Sequence, residues 1–410
     1  MIFFKDNLIT FDIQSCQQCG ACGAVCSKSA ISFCDLENGT KNISIDQYKC
    51  VKCGRCVNVC PSHRVLHDDA YLENLRDVKY FLAYNQNEEI RCASSSGGVC
   101  RTLIIESLKN NIVDGVYSLR KLDKYPSAVG EFYTQEDIPD YDDIPNSVYH
   151  SIMACSELRK VHRVKRLMLV GTSCQLYALE KALKGKFDNL YKVCIFCKQQ
   201  KTLDSTRWLA KAMGVKQPSK HNLSTRYRGD GWPGVLKVME RSLPWNIAAG
   251  FPFGRRLWTL PGCDICGDPF GIEVGADLCL MDPWDIREPN DLGETLVSVY
   301  TEKGLSILES IQSIIKEKKT YCEIAPALGE FDVKCKRLLQ PFFKGEKVEK
   351  EIEEAGLAEM KQRKQLERML ESLPQMPFIF YRFLNKVYPK SRNSIIAKYD
   401  SECNNKTYTK

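Results

Sequence analysis

Hydrophobic and polar positions along the chain follow two rhythms, and their order predicts the elements. Residues 1–10 read as a short opening strand. Residues 31–46, ISFCDLENGTKNISID, alternate on either side of Asn38–Gly39, the pattern of a hairpin. Residues 78–85 read as a strand. Apolar residues then recur at helical spacing, at Val99, Leu103, Ile104 and Leu108, before a strand at 112–119. Residues 166–183 read as strand, tight turn and helix, and residues 191–215 and 295–315 repeat that order. Such units in succession predict α/β architecture with part of the sheet parallel. Residues 346–373 form a charged amphipathic helix with Val348, Ile352, Ala355, Met369 and Leu373 on its apolar stripe. Between these, residues 126–151 are polar and punctuated by proline, and read as a surface excursion. The aromatic, basic segment 378–398 reads as a docked terminal helix with a solvated basic face, in preference to a segment lying on a membrane. No run of 18 apolar residues occurs, so no transmembrane helix is expected.

The cysteines add chemistry that this pattern does not contain. Cys16, Cys19, Cys22 and Cys26 are spaced by two, two and three residues, and Cys50, Cys53, Cys56 and Cys60 repeat that spacing, with Pro61 after the last. This is the ligand run of a bacterial ferredoxin with two 4Fe–4S clusters, in which the fourth cysteine of each run crosses to the other cluster. Cys16, Cys19, Cys22 and Cys60 are therefore expected on one cluster, and Cys50, Cys53, Cys56 and Cys26 on the other. Gly20, Gly23 and Gly54 are expected to let backbone N–H groups approach the sulfides. Ser27 stands where the first run often has a proline, which changes a turn and not a ligand. Structural zinc needs only four ligands, not two interleaved runs of four. Disulfides need an oxidising compartment, and no signal peptide is visible at the N-terminus.

Composition sets the remaining bounds. The 410 residues, 44% of them hydrophobic, suit two or three domains with a sizeable core. A formal charge of +7 suits an acidic protein partner or an anionic cofactor and does not indicate nucleic acid. Twenty-one cysteines, read as reduced, point to the cytoplasm. Five histidines make histidine-centred acid–base chemistry a poor first guess, and no catalytic residue is singled out.

Two loops and one further cysteine set carry candidate chemistry. Ser94, Ser95, Ser96, Gly97 and Gly98 run into the helix at Val99, so their N–H groups and hydroxyls suit a phosphate or flavin; the alternative is an ordinary helix cap. Gly171, Thr172 and Ser173, at the next strand end, are the second place for such a cofactor. Trp232 sits in a loop stiffened by Gly229, Gly231, Pro233 and Gly234, which also reads as a decorated hairpin turn. Cys174 and Cys197 lie just past two predicted strands, where ligands of such sheets sit. With the pair Cys263 and Cys266 they make four thiolates, enough for a third 4Fe–4S cluster or for a zinc ion.

At these residues the sequence resembles the beta subunit family of coenzyme F-420 hydrogenases and dehydrogenases. The similarity runs from the first cysteine run to the helix after Tyr300 and is carried by SSSGGV at 94–99, GTSCQ at 171–175, VCIFC at 193–197, RYRGDGWPG at 226–234 and CDIC at 263–266 followed by ADLCLMDPW. MDPW at 281–284 departs from the GDFW-like residues of many members. The resemblance implies FAD, which exchanges two electrons as hydride and single electrons with clusters.

The expected architecture is α+β and α/β in sequence: a two-cluster ferredoxin-type domain at 1–70, a mixed α/β flavin-binding domain at 71–345 and a helical basic C-terminal tail at 346–410. The expected function is that of a cytoplasmic iron–sulfur flavoprotein oxidoreductase. Electrons pass between a redox partner protein (a ferredoxin or another oxidoreductase subunit), two 4Fe–4S clusters, a third cluster, FAD and a small-molecule hydride acceptor, the deazaflavin coenzyme first among candidates. The alternatives are an electron-transfer subunit without its own substrate, and a zinc-stabilised binding protein.

Overall fold

A computed structural model describes residues 1–64, 71–249, 252–286 and 290–373, with 380, 383, 387 and 395–398 of the tail. Most of the aromatic, basic segment 378–398 therefore lies outside the described residues.

The ferredoxin unit holds two hairpins, β1 (Ile2–Lys5) with β2 (Leu8–Phe11) and β3 (Ile31–Asp35) with β4 (Lys41–Ile45), and two one-turn helices, α1 (Ala21–Ala24) and α2 (Arg55–Asn58). The opening stretch is thus a hairpin and not one strand. Asp6 and Asn7 supply its turn, both with positive φ, a conformation that Asn and Asp tolerate better than other side chains. The expected hairpin at 31–46 is present, although its connection spans residues 36–40 and is longer than a two-residue turn.

The larger domain is built on one mixed eight-stranded sheet. Its strands are β5 (Lys79–Asn85), β6 (Gly115–Lys121), β7 (Ala128–Thr134), β8 (Arg166–Gly171), β9 (Asn189–Ile195), β13 (Leu278–Met281), β14 (Thr295–Val299) and β15 (Ile314–Lys319). Their order across the sheet is β15-β5-β14-β13-β9-β8-β6-β7. β6, β8, β9 and β13 run parallel, and the outer strands pair antiparallel. The parallel strands are apolar on both sides because both faces are covered. Leu167, Leu169, Cys194, Cys279 and Leu296 face one layer; Met168, Val170, Val193, Leu278, Leu280 and Val297 face the other.

The second of these faces packs α4 (Val99–Lys109) and α9 (Glu302–Ser310) through Val99, Leu103, Ile104, Leu108, Ile307 and Leu308. The first packs α5 (Ser173–Leu183) and α10 (Tyr321–Leu328), together with Ala21, Val25 and Val59 of the ferredoxin unit. The ferredoxin unit is therefore part of the core and does not hang from a linker. Residues 126–151 are a surface excursion only in part: β7 forms the sheet edge, and Ala128, Ile144 and His150 are buried.

A third layer comprises α6 (Leu203–Ala212), the small sheet of β10 (Thr225–Arg226), β11 (Val235–Val238) and β12 (Arg241–Pro244), and α7 (Trp245–Ala249). Its core is completed by Leu366 and Leu370 of α12 (Lys350–Ser372), which follows α11 (Glu330–Phe343). Both leucines are fully buried, so removing either side chain should cost about 2–5 kcal/mol. Leu370→Ala should lower the midpoint of thermal unfolding by several degrees while a solvent-face change such as Leu357→Ala leaves it in place; equal midpoints would mean that α12 does not dock.

Candidate metal centres along the sheet edge

The two cysteine runs line two cavities. Cys16, Cys19, Cys22 and Cys60 line the first; Cys26, Cys50, Cys53 and Cys56 line the second. These are the crossed sets that the spacing predicts. Gly20 and Gly54 cap α1 and α2 with φ of 85° and 71°, and that left-handed turn is what brings each run back on itself. Gly23 has a different reason from the one expected: the space a side chain would take is filled by the Phe33 ring, 2.4 Å from an ideal Cβ. Backbone N–H groups do reach sulfur, from Gln18 to Cys16 Sγ and from Ala30 to Cys26 Sγ, both at 3.3 Å. Burial pushes the Cys16 thiol up to about 12 and Cys56 up to about 11, so cluster assembly must displace protons that these sites otherwise hold. Among the described residues every cysteine is free of disulfides.

The first cavity faces the sheet domain. Cys155 N–H donates to Cys19 O at 2.8 Å, and the Arg159 guanidinium donates to Ala24 O at 3.0 Å and Cys26 O at 2.6 Å. Gln17 donates to Gly262 O at 3.3 Å. Gly262 lies so close that a Cβ there would sit 2.2 Å from Cys16 O. The Cys155 thiol hydrogen-bonds the Cys19 sulfur, a contact that favours the thiolate at Cys19 and pushes the Cys155 thiol well above its ordinary range.

Beyond this seam the fold gathers Cys174, Cys197, Cys263 and Cys266. Cys174 is the second residue of α5, whose first turn is fixed by a capping box between Thr172 and Gln175. Cys197 follows β9, the neighbour of β8, by two residues. Cys263 and Cys266 lie in and just after the short helix α8 (Pro261–Asp264). Each of the other three cysteines raises the Cys174 thiol, which burial already holds far above its ordinary value. Burial also pushes the Cys266 thiol up, yet Lys336 of α11, Arg64 of the ferredoxin unit and the Asp268 N–H together bring it below the usual range. Gln200 N–H donates to Cys263 Sγ at 3.3 Å, and Arg64 Nη2 stands 3.7 Å from Cys266 Sγ. Asp264, inside the CxxC, is held low by Arg363 and Arg256 against its burial. Among the described residues no three His, Cys, Asp or Glu side chains converge tightly enough for a single metal ion, and that holds for the two motif cavities as well as for this set.

The serine–glycine loop differs from the open cradle expected of it. Ser94 Oγ donates to Ile90 O at 2.7 Å, Ser95 Oγ accepts from Ser147 N–H at 2.9 Å, and Ser96 Oγ donates to Glu294 O. An ideal Cβ on Gly97 would lie 2.8 Å from Glu294 Cα and 3.0 Å from Ala83 O, so the side that glycine leaves open is filled by the chain itself. Gly98, with φ of 83°, is the N-cap of α4. The second expected cradle is also committed. Gly171 packs on Gln175 and Thr172 caps α5, while Ser173 Oγ donates to Asp268 Oδ2 at 2.5 Å and accepts from Arg64 Nη1 at 2.6 Å.

The sequence left unmarked the charged groups that organise this edge. Arg228, fully buried, forks onto Asp282 at 2.7 and 2.9 Å and donates to Ser95 O at 2.8 Å. Trp232 Nε1 donates to Asp282 Oδ1 at 3.2 Å, and its ring lies 4.7 Å from that of Trp284. Arg228 stood in the motif quoted at 226–234 without a role of its own, and Cys155 in a stretch for which no element or role was expected; neither had a spacing signal. The loop after β5, Asp282 after β13, Cys197 after β9 and Cys174 after β8 all lie at the same end of co-directional strands, the end where such sheets bind ligands.

Cys155→Ala should leave the iron content unchanged and lower the reduction potential of the first motif cluster, because a donor to one of its sulfurs is lost. A hydrogen bond worth about 1 kcal/mol corresponds to about 40 mV in a one-electron couple. Potentiometric titration reads this shift directly, and an unmoved potential would make Cys155 a packing residue only.

Comparison with known proteins agrees with this geometry. Residues 15–63 match a 4Fe-4S dicluster domain. Residues 80–138 match the N-terminal region of the family described as Coenzyme F420 hydrogenase/dehydrogenase, beta subunit, and residues 164–323 match that family's C-terminal region. A chain from the F420-reducing NiFe hydrogenase complex of Methanosarcina barkeri, solved with xenon, is 18% identical, with 67% of this chain and 92% of that chain covered and a TM-score of 0.48. No curated protein matches. The chain belongs to the coenzyme F420 hydrogenase/dehydrogenase beta subunit family and carries a 4Fe–4S dicluster domain ahead of the family's two conserved regions.

Proposed function

We propose that this chain is an iron–sulfur flavoprotein oxidoreductase in which three 4Fe–4S clusters feed the carboxyl edge of the sheet. The observation that carries the reading is the succession of cysteine sets. Cys19, which lines the first motif cavity, accepts from Cys155 N–H, and Cys155 and Cys174 of the third set are close enough for their charges to interact. A third 4Fe–4S cluster on Cys174, Cys197, Cys263 and Cys266 continues that line. Zinc is the weaker occupant, because a third cluster continues the line of clusters that the ferredoxin unit begins. Arg64, Lys336 and the N-terminus of α5 supply the positive field that an anionic thiolate-bound cluster needs.

FAD belongs at the same edge, beside Ser95 and Asp282. The serine hydroxyls would not hold it, since they are committed to the chain. Asn146 fits better: its Nδ2 donates to Ala93 O and Arg228 O, while its Oδ1 is a buried acceptor without a donor among the described residues. A hydroxyl or imide N–H of a bound flavin would satisfy it. When bound, the flavin supplies the exchange between single electrons and hydride. The protein's part is to keep Asp282 ionised through Arg228, to fix the loop through Ser96 and Thr295, and to pack Trp232 and Trp284 at the mouth. The hydride acceptor is a small molecule, the deazaflavin coenzyme first. The partner is a redox protein or subunit, and the setting is the cytoplasm, where the cysteines stay reduced. The committed hydroxyls of residues 94–96 also favour a second reading, a subunit that relays electrons to a partner enzyme and binds no substrate.

Anaerobic preparation should yield about twelve irons per chain and one flavin. Cys263→Ser with Cys266→Ser should remove about four irons and leave the ferredoxin signal intact; stoichiometric zinc departing with these cysteines would decide for zinc. Asn146→Leu should weaken flavin binding about tenfold or more, the usual loss for a buried hydrogen bond of 1–3 kcal/mol, with iron unchanged. A fully iron-loaded wild-type chain that binds no flavin and reduces neither deazaflavin nor nicotinamide would decide for the relay.

A further inference from the structure

The two motif cavities differ in what lies around them. The first is closed by Met153 and by the segment that bonds to Cys19, Ala24 and Cys26. The second is lined in part by exposed residues. Cys53 is exposed, and the lining includes Ser27, Lys28, Val51 and Arg55. Val51 in this lining is 58% exposed, and three more exposed apolar side chains lie in the adjoining segments: Tyr48 at 103% of full exposure, Phe4 at 48% and Leu8 at 41%. The Phe4 ring lies against Gly54, 3.5 Å from where a Cβ would be, and Tyr48 and Val51 flank Cys50. Isolated exposed apolar residues need no explanation, but four in adjoining segments mark an interaction site.

The charge around this opening is mainly positive. Lys28, Lys52 and Arg55 are exposed, and none of them pairs with a carboxylate among the described residues. Lys49 stands beside them. Its neighbour Asp46 is occupied, with Lys49 Nζ at 3.5 Å and the N–H groups of Tyr48 and Lys49 at 3.0 and 3.1 Å. An apolar centre with a charged rim is the usual anatomy of a protein interface, and a rim of one sign steers a partner of the other.

We propose that this face docks an acidic one-electron carrier protein of the ferredoxin class, which exchanges electrons with the cluster on Cys26, Cys50, Cys53 and Cys56. The apolar centre excludes water and lets the carrier's cluster come close; the cations set its orientation. The step moves one electron from the carrier's reduced cluster to this oxidised 4Fe–4S cluster, or back, with no bond or proton exchanged. The electron then has one protein-covered way inward, through the first motif cluster and the seam at Cys155. This rests on the reading that clusters fill both cavities.

The test uses the full chain with its clusters assembled anaerobically. The probe is a reduced acidic 2Fe–2S ferredoxin of the plant type, and the rate of cluster bleaching is followed by stopped flow. Lys28→Glu/Lys52→Glu/Arg55→Glu should slow the second-order reaction about tenfold or more at low salt and flatten its salt dependence. Excess dithionite should bleach it to the wild-type extent, since the clusters remain. Replacing the same three residues by Gln should give an intermediate rate, and this variant decides the matter if the Glu variant loses iron. A control reversal at Lys109, Lys318 and Lys361, on α4, β15 and α12, should leave the rate near wild type. The proposal is overturned if the iron-loaded variants keep the wild-type rate, if the control loses as much, or if a basic c-type cytochrome reacts as fast as the acidic ferredoxin. A wild-type chain lacking about eight irons in its ferredoxin unit would overturn the cluster reading and this one with it.

Discussion

The structure depends on one buried carboxylate, Asp268. It accepts hydrogen bonds from Arg64 at 3.1 Å, from Ser173 at 2.5 Å and from the Tyr71 hydroxyl at 2.7 Å, with no exposed surface of its own. Those partners come from the end of the ferredoxin unit, the first turn of α5 and the segment leading into β5. A buried charge is tolerated only when paired and hydrogen-bonded, and removing one partner of such a pair costs about 3–5 kcal/mol. This group therefore ties three remote segments to the loop that follows the CxxC. It also fixes Arg64 where its second nitrogen faces Cys266. The ferredoxin unit and the third cysteine set are thus not independent sites that happen to share a chain. The residue that docks one is part of the wall of the other.

The surrounding helices extend the same logic. α11 brings Lys336 to the third set and Gln340 to Ile265 O at 2.7 Å, and α12 brings Arg363 to Asp264 at 3.0 Å. Both helices follow the part of the chain with the densest motifs, yet they supply much of the positive charge around the CxxC. A cluster bound by four thiolates is anionic, and burying it without compensating cations would be costly. For the proposed third cluster, that requirement would give α11 and α12 a reason to pack where they do, over and above the apolar contacts of Leu366 and Leu370.

How much of this was readable in the sequence depended on whether the information was local. The cysteine runs were readable because cluster geometry fixes short spacings, and the crossed pairing of Cys26 and Cys60 came with the motif. The strand–turn–helix units were readable because β8 and β9 are apolar on both faces and α5 carries its own capping box. The third set was readable only as strand-end positions plus a CxxC; that β8 and β9 are neighbours is a tertiary fact. Arg64 and Asp268 carried no signal, and Arg228 and Asp282 stood in quoted motifs without an assigned role, since each owes its role to a partner between 54 and 204 residues away. The packing that requires glycine at 97 was hidden for the same reason. The need of Gly97 and Gly98 for a positive φ was visible in principle, but the backbone that fills the space beside Gly97 comes from Glu294.

The central claim is that three cysteine sets form one continuous electron path ending at the carboxyl edge of the sheet. Electron paramagnetic resonance of the anaerobically prepared, fully reduced chain tests it most directly. The account predicts about three reduced 4Fe–4S spins per chain, with spectra broadened by coupling between neighbours, and about two when Cys263 and Cys266 are both replaced by serine. Two spins in both proteins, with one zinc in the wild type that the double variant lacks, would contradict it.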